Sequence, residues 1–420
     1  MTAQPERRAS HRSGPRGGWA GIDPALIVIL AGVSAALHVG KLPAALPALQ
    51  AAMNISLLQA GFLLSLVQLA GMTLGLAVGL AADGLGLRRS MVAGLLVLAG
   101  AGLLGGLAQD AASLLCLRAV EGFGFLLASM PAPSLIRRLV TPQRLSAMLG
   151  LWGAYMPLGT AMALLAGPLV IGLATWQVWW WLIAGLSLLM ALWMLAVPPD
   201  GPGPAGTPAS LAPAAPDDAA GWRKRLAQTL SSRGPWLVAG IFAMYSGQWL
   251  AVVGFLPSIY AQAGVSGGVT GVLTALAAAV NMIGNIASGR LLQRGVRPQV
   301  LLYAGFCAMG LGAALAFAWP GHLPAALRYA AVLMFSMVGG MIPGTLFSLA
   351  VRLAPNDRTV STTVGWMQQC SAIGQFAGPP LVAWVASRAG GWQWTWVVTG
   401  TCSVLGIFLA RHVGRLVRPQ

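Results

Sequence analysis

About twelve long apolar stretches alternate with short polar connections along this 420-residue chain. Each stretch is close to the ~20 residues that a helix needs to cross a bilayer. Backbone groups cannot stay unpaired in lipid, so these stretches are expected to be helices; barrel strands would be shorter and would alternate. The predicted spans are 24–46, 57–82, 89–108, 112–136, 145–172, 177–197, 235–261, 267–290, 298–318, 324–350, 359–386 and 392–412.

Positive charge follows the same alternation. Of the 25 lysines and arginines, all but Lys41, Arg118, Arg328 and Arg388 lie in the tails or in every second connection. Chains insert into membranes with Lys and Arg on the cytoplasmic side, and each span changes the side. The pattern therefore predicts a multi-pass protein of the inner (plasma) membrane with both termini in the cytoplasm.

The composition supports this class. The chain is 57% hydrophobic and 8% charged, with a mean hydropathy of +0.75, whereas about a quarter of the residues of a soluble domain are charged. The net charge of +16 is spread over many short loops, which favours lipid headgroups over nucleic acid as its partner. Four cysteines in apolar stretches show no metal-type spacing, so neither a metal site nor a disulfide framework is expected.

The spans form two sets of six around one long polar interior segment. We divide the chain into a cytoplasmic tail (1–23), a six-helix bundle (24–198), a cytoplasmic linker (199–233), a second six-helix bundle (234–413) and a tail (414–420). The linker is rich in Pro, Ala and Gly, which predicts flexibility. A short amphipathic piece from Trp222 to Leu230 is expected to lie on the membrane.

The two sets repeat each other at offsets of 211 to 216 residues. Leu42-Pro43 returns as Leu256-Pro257, Trp152 as Trp366, Gly167-Pro168 as Gly378-Pro379, and Trp176-Gln177 as Trp392-Gln393. Frequent Gly, Pro and Trp could produce such matches by chance, but their shared order and offset favour duplication. Two parallel bundles with a central cavity between them are the expected result.

The loop after the second span runs GLAADGLGLRR from Gly79 to Arg89. It resembles the signature of the major facilitator superfamily, Gly-x-Leu-x-Asp-x-x-Gly-x-Arg/Lys-Arg/Lys. The matching residues are Gly79, Asp83, Gly86, Arg88 and Arg89, and Ala81 replaces the leucine. The resemblance covers essentially the whole chain and implies a twelve-helix, all-α transporter that works by alternating access. We expect a monomer.

In that family the loop latches the cytoplasmic side, so these five residues are candidate gating residues. The alternative is an ordinary turn that sets topology. The corresponding loop of the second half is degraded: Gln293 stands where an Asp would be, between Arg290 and Arg294 after Gly289. Whether this second loop still gates is left open.

Span four carries Arg118-Ala-Val-Glu121-Gly122-Phe-Gly124, which resembles a second signature of the family, Arg-x-x-Gln-Gly-x-Gly. Arg118 and Glu121 are three residues apart and share a helix face. Charges at this depth either face a water-filled cavity or pair with each other. Two interpretations follow: a structural ion pair, or an anion and proton site in which Glu121 carries the proton and Arg118 binds substrate.

Lys41 on span one is placed in the same outer half of the membrane. Together with Arg118 and Arg328 it would form a positive cavity mouth, which favours an anionic substrate. The alternative for Lys41 is snorkelling to the headgroups. His38 has no partner visible in the sequence and is expected to be a packed polar residue rather than a proton carrier.

Uncharged side chains complete the predicted binding site. A cavity wall that stacks on a small solute and hydrogen-bonds it needs aromatic and amide groups. The candidates are Trp152, Tyr155, Gln248, Trp249, Trp366 and Gln369. Ordinary interhelical packing is the alternative for each. The cluster of Trp176, Trp179, Trp180 and Trp181 is expected to anchor the protein at the membrane interface.

We predict proton-coupled transport of a small, anionic solute. Within the superfamily, the chain looks most similar to the cyanate-permease-like branch. The sequence contains no nucleotide-binding loop, and no cofactor is expected. The main rival is a proton-driven drug or metabolite exporter, whose signature the glycines Gly159, Gly167 and Gly172 partly match. A membrane enzyme would need a catalytic constellation, and a channel would not need the latch.

Overall fold

The computed structural model describes residues 22–196, 218–319, 321–356 and 359–417; of residues 78–85, 142, 143, 145–147, 218–220, 222, 361 and 417 it describes the backbone alone. Over these ranges the chain is helical and has no β-strand. Residues 1–21 and 418–420 of the predicted tails (1–23 and 414–420), and most of the predicted linker, lie outside the described residues. The linker's amphipathic piece lies within a helix, α10 (Asp218–Ser231).

The first half contains nine helices, several of which pair up to make one span. They are α1 (Pro24–Met53), α2 (Leu57–Ser65), α3 (Leu69–Leu85), α4 (Leu87–Gly105), α5 (Ala111–Ser129), α6 (Ala132–Leu139), α7 (Pro142–Gly153), α8 (Tyr155–Leu173) and α9 (Trp176–Ala196).

The second half follows the same order after α10. Its helices are α11 (Arg233–Gln262), α12 (Gly267–Ala279), α13 (Asn281–Gln293), α14 (Pro298–Phe317), α15 (Ala325–Gly339), α16 (Met341–Leu353), α17 (Val360–Ala389) and α18 (Thr395–Val417).

Eleven segments of the described chain are long and apolar enough to cross a membrane. The remaining predicted span, 359–386, is α17, which is 30 residues long but more polar. The Gln369 amide donates to the Met72 carbonyl of α3, and the Ser371 hydroxyl accepts the Gln375 amide at 3.3 Å, so these polar side chains of α17 have partners inside the protein. The fold is an all-α membrane bundle with twelve spans, as the sequence predicts.

The first span is longer than predicted, extending to Met53 rather than residue 46. The Asp23 side chain accepts the Ala25 amide at 2.9 Å and caps its start. Pro43 and Pro47 lie inside the helix without ending it. Termination comes at Asn54, which adopts a left-handed conformation with φ 52°.

The second span is broken in the middle of the membrane. A 3₁₀ turn at Leu66–Gln68 separates α2 from α3. Here α5 packs backbone to backbone: a Cβ added at Gly122 would lie 2.6 Å from the Val67 carbonyl oxygen. Only glycine permits this approach, which brings α5 and its charged residues beside the break.

We call the face at which α1 begins and α18 ends the terminal face, and the other the opposite face. The halves meet mainly away from the terminal face. Near the opposite face, α2 packs on α17, where a Cβ at Gly61 would lie 2.8 Å from Pro380 Cα. There α12 also packs on α8, with a Cβ at Gly271 placed 3.1 Å from the Leu164 oxygen. The bundle is therefore closed at the opposite face.

Candidate functional site

Lys41, Arg118 and Glu121, with His38, form one buried group that we call the charged cluster. The Lys41 ammonium donates to Glu121 Oε1, and Arg118 Nη1 donates to Glu121 Oε2 at 2.5 Å. Lys41 is 0% exposed, and Arg118 and Glu121 are each 1% exposed. Both carboxylate oxygens are therefore engaged by cations inside the first half.

Arg118 also joins three helices through backbone carbonyls. Its Nε donates to the Leu63 oxygen at 3.2 Å, and its Nη1 donates to the His38 oxygen at 2.8 Å. The Leu63 carbonyl is available because α2 ends at Ser65, so its usual helical partner is displaced. Among the described residues, Arg118 Nη2 is buried and has no hydrogen-bond partner. One strong donor of the cluster is therefore free.

Lys41 is enclosed by aromatic rings from α9. Its ammonium lies 4.7 Å from the centre of the Trp180 ring, a cation–π distance. The Trp179 indole donates to the Lys41 carbonyl at 3.1 Å. The prediction of interface anchors is wrong for Trp176, Trp179 and Trp180, which are buried at 7%, 3% and 0% exposure. Trp181, at 40%, remains at the surface.

His38 has partners that the sequence does not show. Its Nδ1 lies 3.1 Å from Lys41 Nζ and 3.5 Å from Glu121 Oε1, and its Nε2 lies 2.9 Å from Ser187 Oγ. Ser187 Oγ in turn lies 3.1 Å from Ser34 Oγ. Sequence reasoning missed Ser187, although it is the only hydroxyl side chain in an otherwise apolar α9.

The predicted positive cavity mouth is not formed. Lys41 neither lines an opening nor snorkels, since its side chain is wholly buried against Glu121. Arg328 lies elsewhere, and its Nε donates to the Ala316 carbonyl at the end of α14 at 2.9 Å. The three cations are not equivalent because only Lys41 and Arg118 pair with Glu121. Glu121 is the only acidic residue of the sequence deep within a span.

The uncharged candidates do not join this cluster. Trp152 and Tyr155 stack on each other with ring centres 4.1 Å apart. Gln248 donates to the Met244 carbonyl and accepts the Ser403 hydroxyl at 3.2 Å. The Trp249 indole donates to Ser336 Oγ at 3.1 Å. These pairs lie at two separate places, one in each half.

Trp366 and Gln369 lie on α17. Trp366 meets Trp236 edge to face with ring centres 4.7 Å apart, and its indole nitrogen is buried without a partner among the described residues. The Gln369 amide donates to the Met72 carbonyl at 2.8 Å and accepts the Leu76 amide at 3.1 Å. Gln369 therefore bridges the halves, using two α3 groups that pair with each other in a regular helix.

The loop motif is described only in part. Gly86 separates α3 from α4 with φ 84°, a conformation that favours glycine. Arg88 donates through Nε to the Met194 carbonyl at 2.9 Å, tying α4 to the end of α9, while Arg89 is exposed. For Gly79 and Asp83 the structure describes only the backbone.

A twelve-span helical bundle in two halves, with a buried ion cluster and no strand in the described ranges, is the architecture expected of a membrane transporter. The family model of the Major Facilitator Superfamily matches residues 25–379. The chain belongs to this superfamily, and it is a transporter of small molecules rather than an enzyme.

Solved structures agree on the fold. An inward-facing, unoccupied bacterial homologue of the human lysosomal transporter Spinster superposes with a TM-score of 0.77 at 16% identity, covering 93% of this chain and 96% of that one. A D-xylose–proton symporter superposes with a TM-score of 0.71 at 17% identity, covering 94% and 97%. No functionally curated protein matches the sequence.

Proposed function

We propose that this protein couples proton movement to the transport of a small monoanion across the inner membrane, with both termini in the cytoplasm. One observation carries the proposal: the charged cluster contains two buried cations and one carboxylate. His38 Nδ1 faces the Lys41 ammonium, which can only donate, so the imidazole is neutral. The cluster therefore holds one uncompensated positive charge.

A buried charge without a counter-charge is costly. A monoanion would compensate it, and the free Nη2 of Arg118 supplies a hydrogen-bond donor for an anionic oxygen. Lys41 and Arg118 are therefore the proposed substrate-binding centre.

Proton coupling follows from competition at Glu121. Lys41 and Arg118 engage one carboxylate oxygen each, so a proton can bind only when one of them withdraws. An anion that attracts Arg118 would release Oε2 and let Glu121 take a proton. Anion and proton then enter together: the anion takes the place of the Glu121 carboxylate beside Arg118, and the proton neutralises that carboxylate.

The other predicted binding residues are proposed as walls of the cavity that separates the halves. The partnerless indole nitrogen of Trp366 supports this role, as does the position of Gln369 on the seam between halves. The remaining four are Trp152, Tyr155, Gln248 and Trp249.

Closure at the opposite face supports an inward-facing state, in which the cavity opens at the terminal face. Five residues lie toward that face: two in the last part of α3, one between the helices and two in the first turn of α4, in chain order Gly79, Asp83, Gly86, Arg88 and Arg89. We propose that they latch it in the outward-facing state.

Packing on α1 explains two of the three α8 glycines that partly match the exporter signature: a Cβ at Gly167 would lie 2.5 Å from Ala44 Cβ, whereas Gly172 has open space beside it among the described residues. A Cβ at Gly159 would lie 2.8 Å from the Val33 carbonyl oxygen, so this glycine is needed for packing on α1. Close helix packing explains it without reference to the direction of transport.

The test begins with thermal-shift screening of the purified protein against acetate, lactate, pyruvate, bicarbonate, cyanate and nitrate, with sulfate as a dianion control. We expect stabilisation by a monoanion that disappears in Arg118→Lys, which keeps the charge but loses the guanidinium. Uptake of that anion into proteoliposomes should rise with an inward proton gradient. Wild-type uptake at every pH in Glu121→Gln would refute the proton role.

A further inference from the structure

We propose that His38, Ser187 and Ser34 form a relay that carries a proton from Glu121 toward the terminal face. The proposal rests on the proposed protonation of Glu121. We call these three residues the serine relay. They link α1 and α9 through two short contacts, His38 Nε2 to Ser187 Oγ at 2.9 Å and Ser187 Oγ to Ser34 Oγ at 3.1 Å.

The hydrogen bonds of the relay allow one common direction. The Lys41 ammonium has only donors, so His38 Nδ1 accepts from it. The ring proton is therefore on Nε2, and it is donated to Ser187 Oγ. Between Ser187 and Ser34 either hydroxyl can be the donor. With Ser187 as the donor, every bond points away from the charged cluster, which is the arrangement needed to conduct a proton out of it.

The relay also runs along α1 toward the start of that helix. All three of its residues are buried, with Ser34 4% exposed and His38 and Ser187 0% exposed. Ser34 precedes His38 by four residues, which is about 6 Å along the helix toward its start at Pro24. In a state closed at the opposite face, the relay leads toward the face where a carried proton would be released.

The transfer balances with one proton in and one proton out. The proton taken up at Glu121 Oε2 reaches Oε1 by rotation of the carboxyl group, and after Lys41 has withdrawn it passes to His38 Nδ1, which lies 3.5 Å from Oε1. His38 gives its Nε2 proton to Ser187 Oγ, Ser187 gives its hydroxyl proton to Ser34, and Ser34 gives one to water. The imidazole ends as the Nδ1–H tautomer. The starting state returns when the hydroxyls rotate back and the imidazole loses its Nδ1 proton and takes one at Nε2, both by exchange with water.

Several groups pack around His38. On α1 Lys41 faces it, on α5 Arg118 and Glu121 face it, and on α9 the neighbours are Ser187 and the ring of Trp180 against Lys41. Glu121 is the only one of these that can accept a proton as an anion. Substitutions within the relay therefore test transfer from that carboxylate without changing any charge.

The experiment follows the carboxylic acid C=O infrared band of purified protein in saturating nitrate, or in the screened monoanion that stabilises the protein most, after rapid pH jumps between about pH 4 and about pH 9. The anion is present because the proposed mechanism protonates Glu121 only when an anion has drawn Arg118 away. The Glu121 band is assigned by its loss in Glu121→Gln. Ser187→Ala removes the middle of the relay at little cost in volume. The matched control is Ser336→Ala. Ser336 is a buried serine of the second half that also accepts a hydrogen bond. His38→Phe is a second variant.

We expect Ser187→Ala and His38→Phe to slow deprotonation of Glu121 roughly 10²-fold, the usual effect of a positioned proton-transfer group. The titration midpoint in Ser187→Ala should stay at its wild-type value, and Ser336→Ala should behave as wild type. A wild-type rate in Ser187→Ala would overturn the relay and leave the role of Glu121 intact. A slower rate with an equally shifted midpoint would show a structural role only. Absence of any titrating Glu121 band would overturn both proposals.

Discussion

The two halves share one scaffold but differ in what they bury at equivalent positions. The offset of 214 residues that relates Leu42 to Leu256 also relates the first residues of α5 and α15. By this offset, Phe255 is the residue equivalent to Lys41. Val332 and Phe335 are likewise equivalent to Arg118 and Glu121. These three apolar residues are 1%, 4% and 1% exposed.

The second half therefore folds with an apolar core where the first half holds an ion cluster. Its buried polar groups are neutral: Asn281 donates to the Tyr245 hydroxyl at 2.9 Å and to the Ser336 carbonyl at 2.8 Å. Because buried ion pairs are no more stabilising than well-packed apolar groups, the fold has no need of the charges. Their presence in only one half supports the proposal that they serve transport.

The largest effect is expected when one charge of the cluster is removed. Glu121→Leu leaves two buried cations unpaired and should lower the free energy of unfolding by roughly 3–5 kcal/mol. The triple variant Lys41→Met, Arg118→Leu, Glu121→Leu imitates the second half and should recover most of that loss while transport stays absent. Thermal unfolding in detergent measures both. A triple variant as unstable as the single one would show that the charges hold the fold together.

The neutral network of the second half should matter less. Asn281→Ala leaves the Tyr245 hydroxyl without its partner and removes one of the two donors to the Ser336 carbonyl, which keeps the Gly340 amide. We therefore expect a loss of roughly 1–3 kcal/mol. The pH dependence of transport should keep its wild-type shape. A changed pH profile in Asn281→Ala would mean that proton coupling is not confined to the first half.

The seam between the halves should respond more weakly still. Gln369→Leu removes a bridge from α17 to α3, but the Met72 carbonyl and Leu76 amide can then bond to each other. We expect the free energy that favours the form closed at the opposite face over the open form to fall by roughly 1 kcal/mol. Spin-label distances between the ends of α2 and α17 should report more of the open form, while Gln368→Leu serves as the control. Unchanged distances in Gln369→Leu would exclude the bridge as a clamp.

The smallest effect is expected at Asp110, which caps α5 outside the membrane. The Ser113 backbone amide and hydroxyl donate to its carboxylate and lower its pKa below the ordinary value of 3.8. Its contribution to stability is thus present above that value and is lost as the pH falls through the lower folded pKa. The melting temperature of Asp110→Ala should lie slightly below wild type at neutral pH and converge with it in acid. A constant gap would contradict this.

Much of the fold could be predicted because each span is encoded locally. Length, apolarity and loop charge place twelve crossings, although Pro43 and Pro47 did not signal that α1 continues to Met53. Helix continuation past proline depends on neighbouring helices, which satisfy what proline leaves open. The sequence of α1 alone does not show which neighbouring helices provide this support.

The site was only half predictable. The three-residue spacing of Arg118 and Glu121 lies within one helix, so the pair is visible in the sequence. Lys41 meets Glu121 across 80 residues, and His38 meets Ser187 across 149. Such contacts depend on how α1, α5 and α9 pack, and that in turn depends on the close approach at Gly122. The same packing turns Trp179 and Trp180 from expected anchors into walls of the cluster.

The most direct test is the number of protons taken up when the anion found by thermal shift binds to purified protein. Calorimetric titration in two buffers of different ionisation enthalpy measures this number. At a pH where Glu121 is ionised, we predict uptake of about one proton per anion in wild type and none in Glu121→Gln. Anion binding to wild type without proton uptake, or with equal uptake in Glu121→Gln, would contradict the charged cluster as the coupling site.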